Sequence, residues 1–228
     1  MWTSQVVAGS ALVAALALFL SRQLASSAPR PPPVIGTNNT VLFLVNSEDG
    51  LSNVFVATAH ALLERYPQVH VHFASFPPIA PRLERISRYG RKTTPSARDI
   101  VLHQLPSNLS MMHVIASAGK TISDSIHPPG RAGIKKICRD VQLYIAPWSG
   151  EDHYTLYRAI GSIVDEVDPA LVVLDTFLRP AIDATRDRNR LHAIITPNTL
   201  IDNFPMEQPW GAMFWKYPMY VVCHVEST

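Results

Sequence analysis

Two stretches of the chain run as short, unbroken apolar segments and stop abruptly at polar residues. TVLFLV at 40–45 stops at Asn46, Ser47, Glu48, Asp49 and Gly50, and ALVVL at 170–174 stops at Asp175. A strand that is apolar on both faces is buried on both, which points to a parallel sheet covered by helices. The intervening segments fit that cover. From 52 to 65 the residues Val54, Phe55, Ala57, Ala61 and Leu62 recur at helical spacing and stop before Tyr66 and Pro67, and VHVHF at 69–73 then reads as a second strand. Strand, helix and strand in this order form a βαβ unit.

A second unit lies further along. Ser149 with Asp152 three residues on resembles a capping box, and Tyr157, Ile160, Ile163, Val164 and Val167 follow at three- and four-residue steps until Asp168 and Pro169 close the helix. After the strand at 170–174, residues 180–190 read as helix, and HAIIT at 192–196 reads as one more strand before Pro197. Repeated alternation of this kind predicts an α/β fold, a Rossmann-like, doubly wound parallel sheet. Between 80 and 148 the periodicity is poor. That segment carries Arg82, Arg85, Arg88, Arg91, Lys92 and Arg98 against Glu84 and Asp99. Such a cluster is either a solvated helix face or a patch for anionic lipid headgroups.

The start of the chain has another character. Residues 1–21 carry no charged side chain and, as a helix, would reach roughly 31 Å, about the thickness of a bilayer core. With Arg22 and Arg30 just beyond it, this run predicts one transmembrane helix, a single-pass membrane location and a body on the cytosolic side. A cleaved signal peptide, with ASSA at 25–28 as its cleavage region, is the alternative. The proline-rich stretch within 22–39 favours an extended linker, so the folded body is expected over 40–218, followed by a tail at 219–228.

Several function classes lose their support on composition and motifs. Twenty basic against eighteen acidic residues give a formal charge of +2, and no field directs the chain towards nucleic acid. Cys138 and Cys223 stand alone and the nine histidines are dispersed, so neither a zinc site nor a disulfide scaffold is expected. No G-x-G-x-x-G, Walker or G-x-S-x-G motif occurs, and no cofactor is expected to be bound by this chain. In an open α/β sheet, ligands bind outside the carboxyl ends of the strands. The two polar stops fall there. A carboxylate such as Asp175, directly behind five apolar residues, is costly to bury unless hydrogen-bonded. It either caps the following turn near Phe177 or serves a site.

In sequence order, VLFLVNSEDGLSNVFVATAHALLERYP at 41–67, VHFASFPP at 71–78, LVVLDTFLRPAIDATR at 171–186 and AIITPNTL at 193–200 resemble the amino-terminal half of the UDP-glycosyltransferases of the GT-B fold, in particular the fungal members. The resemblance covers roughly residues 40–218. It implies a first Rossmann-like domain that binds an acceptor and faces a second that binds the donor substrate, a UDP-sugar. It also implies hexosyl transfer to a small acceptor, aided by a histidine base that an aspartate orients. Asp175 matches the orienting acid. Where the family has Gly followed by His, this chain has Gly50 followed by Leu51, and leucine accepts no proton. Asp49, one position before Gly50, is then the catalytic candidate beside Asp175, provided that desolvation raises its pKa. Asn46, Ser47, Glu48, Gly50, Pro197 and Asn198 are the expected acceptor-binding residues. The aromatic stretch of Trp210, Phe214, Trp215 and Tyr217, together with the anchor, suggests a lipophilic acceptor. Nothing after Pro218 resembles the donor-binding motif. The chain is thus expected to be a fragment without its donor domain and inactive alone, or a non-catalytic, membrane-anchored acceptor-binding subunit that recruits a separate donor domain.

Overall fold

The computed structural model describes residues 31–125 and 146–197, with scattered positions between 133 and 143. The chain divides into two units, residues 1–33 and 34–228, and every helix and strand described below lies in the second. Its elements alternate as expected: β1 (Thr37–Leu44), α1 (Asp49–Arg65), β2 (His70–Ser75), α2 (Ala80–Thr93), β3 (Val101–Gln104), α3 (Met111–Ser117), α4 (Gly150–Val167), β4 (Pro169–Asp175), α5 (Arg179–Asp187) and β5 (His192–Ile195).

The five strands form one parallel sheet in the order β3-β2-β1-β4-β5. Alternate side chains of β1 and β4 enter opposite faces. Leu42, Leu44, Val172 and Leu174 join Leu156, Ile160 and Val164 of α4 and Ala181 and Ile182 of α5. Phe43, Val45 and Val173 join Phe55, Ala59 and Leu63 of α1 and Leu83 of α2. Burial on both faces explains why these strands read as unbroken apolar runs. Phe43 and Phe73, paired across β1 and β2, stack with centroids 5.3 Å apart, a contact worth about 0.5–1.5 kcal/mol beyond its buried area.

Local chemistry sets the helix ends. The Asp152 N–H donates to Ser149 Oγ at 3.2 Å, so the predicted cap of α4 is present. Asp168 ends α4 in the left-handed region, with φ at 44°. On the same side of the sheet, α4 and α5 are joined at matching four-residue steps. His153 Nε2 and Asp183 Oδ2 lie 2.9 Å apart, and the Tyr157 hydroxyl donates to Asp187 Oδ2 at 2.9 Å. Arg188 closes the row on both oxygens of Asp165. Steps of equal size and sign on both helices mean that they run parallel.

Four expectations change. First, the helix read from residue 52 begins earlier, at Asp49, so that Asp49 and Gly50 form the first turn of α1. Second, the illegible middle contains α2, β3 and α3, and three of the six basic residues in its cluster have partners within the protein: Arg82 bonds the segment 47–53, Arg91 pairs with Asp99, and Arg98 meets His70. Third, Cys138 is disulfide-bonded. Fourth, among the described residues no helix is long and apolar enough to cross a membrane. Even α4, at 18 residues, carries Glu151, Asp152, Arg158, Asp165 and Glu166. This finding overturns the expected single-pass membrane location; the apolar run at 1–21 on which it rested lies outside the described residues.

The amino ends of β1 and β4 are tied by the Gly36 and Thr37 N–H groups, which donate to the Pro169 and Asp168 carbonyls at 3.2 and 2.7 Å. The buried Arg190 braces this knot, donating through Nη2 to Asp168 Oδ1 at 2.7 Å and to the Pro169 carbonyl at 2.8 Å. Gly36 lies in this knot, and a Cβ there would meet the Asp168 carbonyl oxygen and the Arg190 guanidinium well inside contact distance. Gly36→Ala is therefore expected to cost about 1–3 kcal/mol, seen as a lower urea midpoint with an unchanged slope.

Candidate functional site

The chain leaves β1 for β2 on one side of the sheet and returns after β3 to place β4 on the other. Neighbouring connections diverge between the carboxyl ends of β1 and β4, the position at which open α/β sheets form a ligand crevice. Both polar stops seen in the sequence meet there. Asp175, the last residue of β4, is fully buried. Its Oδ2 accepts from both the backbone N–H and the side-chain amide of Asn46, each at 3.1 Å, and its Oδ1 accepts from the Phe177 N–H at 2.9 Å. Asp175 thus caps its own turn and also ties β4 to the residues leaving β1. Burial pushes its carboxyl above the usual carboxylate range, while the three hydrogen bonds pull the other way.

Two residues further along this loop, Glu48 turns its carboxylate inward. The Met112 N–H of α3 donates to Oε1 at 3.2 Å, whereas Oε2 is buried and meets no hydrogen-bond partner among the described residues. The Asn46 side-chain oxygen, also buried, is equally unpartnered. Burial raises the Glu48 pKa, and the nearby Asp175 charge adds to the rise. Asp49 has the opposite surroundings. Its side chain is 86% exposed and pairs with Arg82 Nη1 at 2.9 Å, so the desolvation that a carboxylate base would need is not present at that position. Arg82 also donates to the Ser47 carbonyl at 2.7 Å and to Asn53 Oδ1 at 2.9 Å, and so holds the entire turn.

The remaining expected residues scatter around this centre. Ser47 is buried and contributes its carbonyl. Gly50 is exposed, with open space where a Cβ would stand. Leu51 packs against the α4 side of the core. Pro197 is half-buried just after β5, and Asn198 lies outside the described residues. Sequence reasoning grouped Glu48 with acceptor binding and missed that it is the desolvated acid, because its burial depends on α3, an element without a clear periodic signal. It also missed a histidine pair. His72 Nδ1 of β2 and His103 Nε2 of β3 are 3.0 Å apart, and ring centroids 5.3 Å apart at that nitrogen separation mean that the rings meet end to end. Burial holds both below the ordinary histidine range.

Comparison with known proteins gives one curated relative. Over 186 residues the chain is 31% identical to "Glycosyltransferase sdnJ" of Sordaria araneosa, a match that takes in 79% of this chain and 36% of that protein. The chain therefore spans about a third of the length of that relative. Among solved structures, it is similar to the crystal structure described as the glycotransferase of kitacinnamycin, with a TM-score of 0.44, 10% identity and coverage of 86% of this chain and 39% of the other. No protein-family model matches the chain.

The two sets of shifted groups act on stability in opposite directions. Asp175 and Glu48 bind protons more tightly folded than unfolded. Their contribution is full below the ordinary carboxyl pKa and is lost as pH rises through the folded values. His72 and His103 bind protons less tightly folded, so their contribution grows as pH rises towards the ordinary histidine pKa of about 6.5. In urea titrations from pH 4 to 7, Glu48→Gln is expected to tilt the profile towards rising stability, and His103→Asn to tilt it towards falling stability. Parallel profiles for both variants and the parent would show that these groups are not shifted.

Proposed function

The chain belongs to a UDP-glycosyltransferase-like family, and on that premise we propose that it binds a small hydroxylated acceptor at the carboxyl ends of β1 and β4, for hexosyl transfer from a UDP-sugar. The observation that carries this reading is the buried Asp175 carboxyl, joined to Asn46 across the point where the strand connections diverge. Residues 40–218 are the acceptor-binding domain in this proposal. Asn46, Ser47, Glu48, Gly50 and Pro197 contribute its lining.

Transfer of a hexosyl group needs the acceptor oxygen placed against the anomeric carbon and its proton removed. The crevice suits the acceptor better than the donor. Its buried groups are carboxyls and amide or carbonyl oxygens, and its near arginine, Arg82, is occupied by three oxygens of the 47–53 segment. A diphosphate would find repulsion from Asp175 and Glu48 there, which supports assigning the nucleotide to a facing domain. Leu51 favours a second reading, a non-catalytic binding subunit. Under that reading calorimetry records acceptor binding, and glycoside formation with a UDP-sugar and a recruited donor domain does not depend on the carboxyls of this chain.

Asp175→Ala leaves three donor groups, two of them buried on Asn46, without their acceptor. It is expected to destabilise the fold by about 2–4 kcal/mol and to reduce glycosyl transfer by about 100-fold or more. Full transfer by a folded Asp175→Ala protein, checked by circular dichroism, would place the site elsewhere. Gly50→Ala separates stability from binding. With free space at the Cβ and a helical first-turn position, it is expected to stabilise by about 0.5–1 kcal/mol. If Gly50 keeps that space open for the acceptor, affinity measured by calorimetry falls in the same variant.

A further inference from the structure

We propose that Glu48 is the group that takes the proton from the acceptor hydroxyl, in the place where Leu51 supplies no base. This assignment rests on the acceptor-binding reading given above. It stands on two unpartnered oxygens in one small region. Asn46 is fully buried and its side-chain nitrogen is spent on Asp175, which leaves its Oδ1 as an acceptor with nothing to accept. Glu48, two residues on, holds one carboxylate oxygen on the Met112 N–H and leaves the other, Oε2, buried without a donor. A buried oxygen without a donor costs about 1–3 kcal/mol. Two of them at the carboxyl edge of a parallel sheet favour a ligand that brings hydrogen-bond donors. A hydroxylated molecule does so, and an anion does not.

The Met112 bond fixes the Glu48 carboxylate from behind and leaves Oε2 as its free reactive atom. The Asp175 charge near it favours the proton-bound form of Glu48, and burial acts in the same direction. These effects bring a carboxylate closer to the basicity required for work near neutral pH. In the transfer step the acceptor O–H bond breaks and its proton goes to Glu48 Oε2. The acceptor oxygen forms a bond to the anomeric carbon of the UDP-sugar, and the bond from that carbon to the diphosphate oxygen breaks, with its electron pair leaving on UDP. Asn46 Oδ1 is placed to accept a second hydroxyl of the same acceptor. Asp49, exposed and paired with Arg82, takes no part.

The test uses the chain together with a separately supplied donor domain, UDP-glucose as donor and a fluorescent hydroxycoumarin as the hydroxyl-bearing probe. Glu48→Gln is expected to lower kcat by about 100- to 10,000-fold with little change in the probe's KM, and to remove the acidic limb of the pH–rate profile. Formate is expected to restore part of the rate to Glu48→Ala. A Glu48→Gln kcat within about threefold of the parent overturns the assignment. The same chain, labelled with 13C at its carboxyl groups, provides a second readout that needs no turnover. Glu48 is expected to titrate above the usual glutamate range and its resonance to move on addition of the hydroxycoumarin. Ordinary titration without a response to the probe also overturns the assignment. Absence of transfer by the parent even with the donor domain present, with the expected Glu48 response to the probe, counts against the proposed transferase activity and leaves the proton-accepting position in place.

Discussion

A charged group that follows five apolar residues into a sheet must find donors, and the rest of this structure is organised around how Asp175 finds them. Two of its three hydrogen bonds come from Asn46, which lies 129 positions away in sequence and in the adjacent strand exit. The pairing requires β1 and β4 to be neighbours in register, from Val41 opposite Leu171 to Leu44 opposite Leu174. It therefore imposes the strand order with a divergence between those two strands. A one-residue slip would send Leu174 and Leu44 to the wrong faces and would also leave the carboxyl buried without its partner.

The same tie explains how the loop after β1 gains its shape. Asn46 is pulled towards β4, so the following residues must turn sharply to begin α1 at Asp49. Arg82 reaches across from α2 to hold that turn through the Ser47 carbonyl, Asp49 and Asn53. Of the two acids in the turn, one faces this arginine and solvent and the other faces the protein. Identical side-chain chemistry one methylene apart is thereby divided into a solvated ion pair and a desolvated acid. That division underlies both the proposed acceptor site and the proton transfer assigned to Glu48.

Much of this was legible in the sequence where a residue's surroundings follow from its neighbours along the chain. Strands β1 and β4 are buried on both faces and announce themselves as apolar runs, and Ser149 caps α4 through a residue three positions away. Asp175 stood out because a carboxylate in that setting must have partners. The middle was opaque for physical reasons. Strand β3 is a four-residue edge strand with half-exposed side chains, and the buried side of α2 consists of Leu83, Ser87 and Gly90, of which only one is a strong apolar marker. What depends on that region was lost with it. The burial of Glu48 comes from α3, and the meeting of His72 with His103 comes from the β2–β3 register. The apolar run at 1–21 showed the reverse hazard, a strong local pattern that led to a membrane location which the described helices do not support.

The knot around Arg190 has a mechanical meaning. Arg190 braces Asp168 and Pro169 at the amino end of β4, and their carbonyls accept from Thr37 and Gly36 on the β1 side, just as Asn46 and Asp175 join the carboxyl ends. The β1–β4 seam is consequently fastened at both extremities, like a hinge whose pin is riveted at top and bottom. A crevice above such a seam cannot widen by parting its strands. Any accommodation of a bulky guest must come from elements outside the seam, among them the short strand β3 and the seven-residue helix α3 that follows it. The rigid seam then sets where a molecule binds, and the elements outside it set how large that molecule can be.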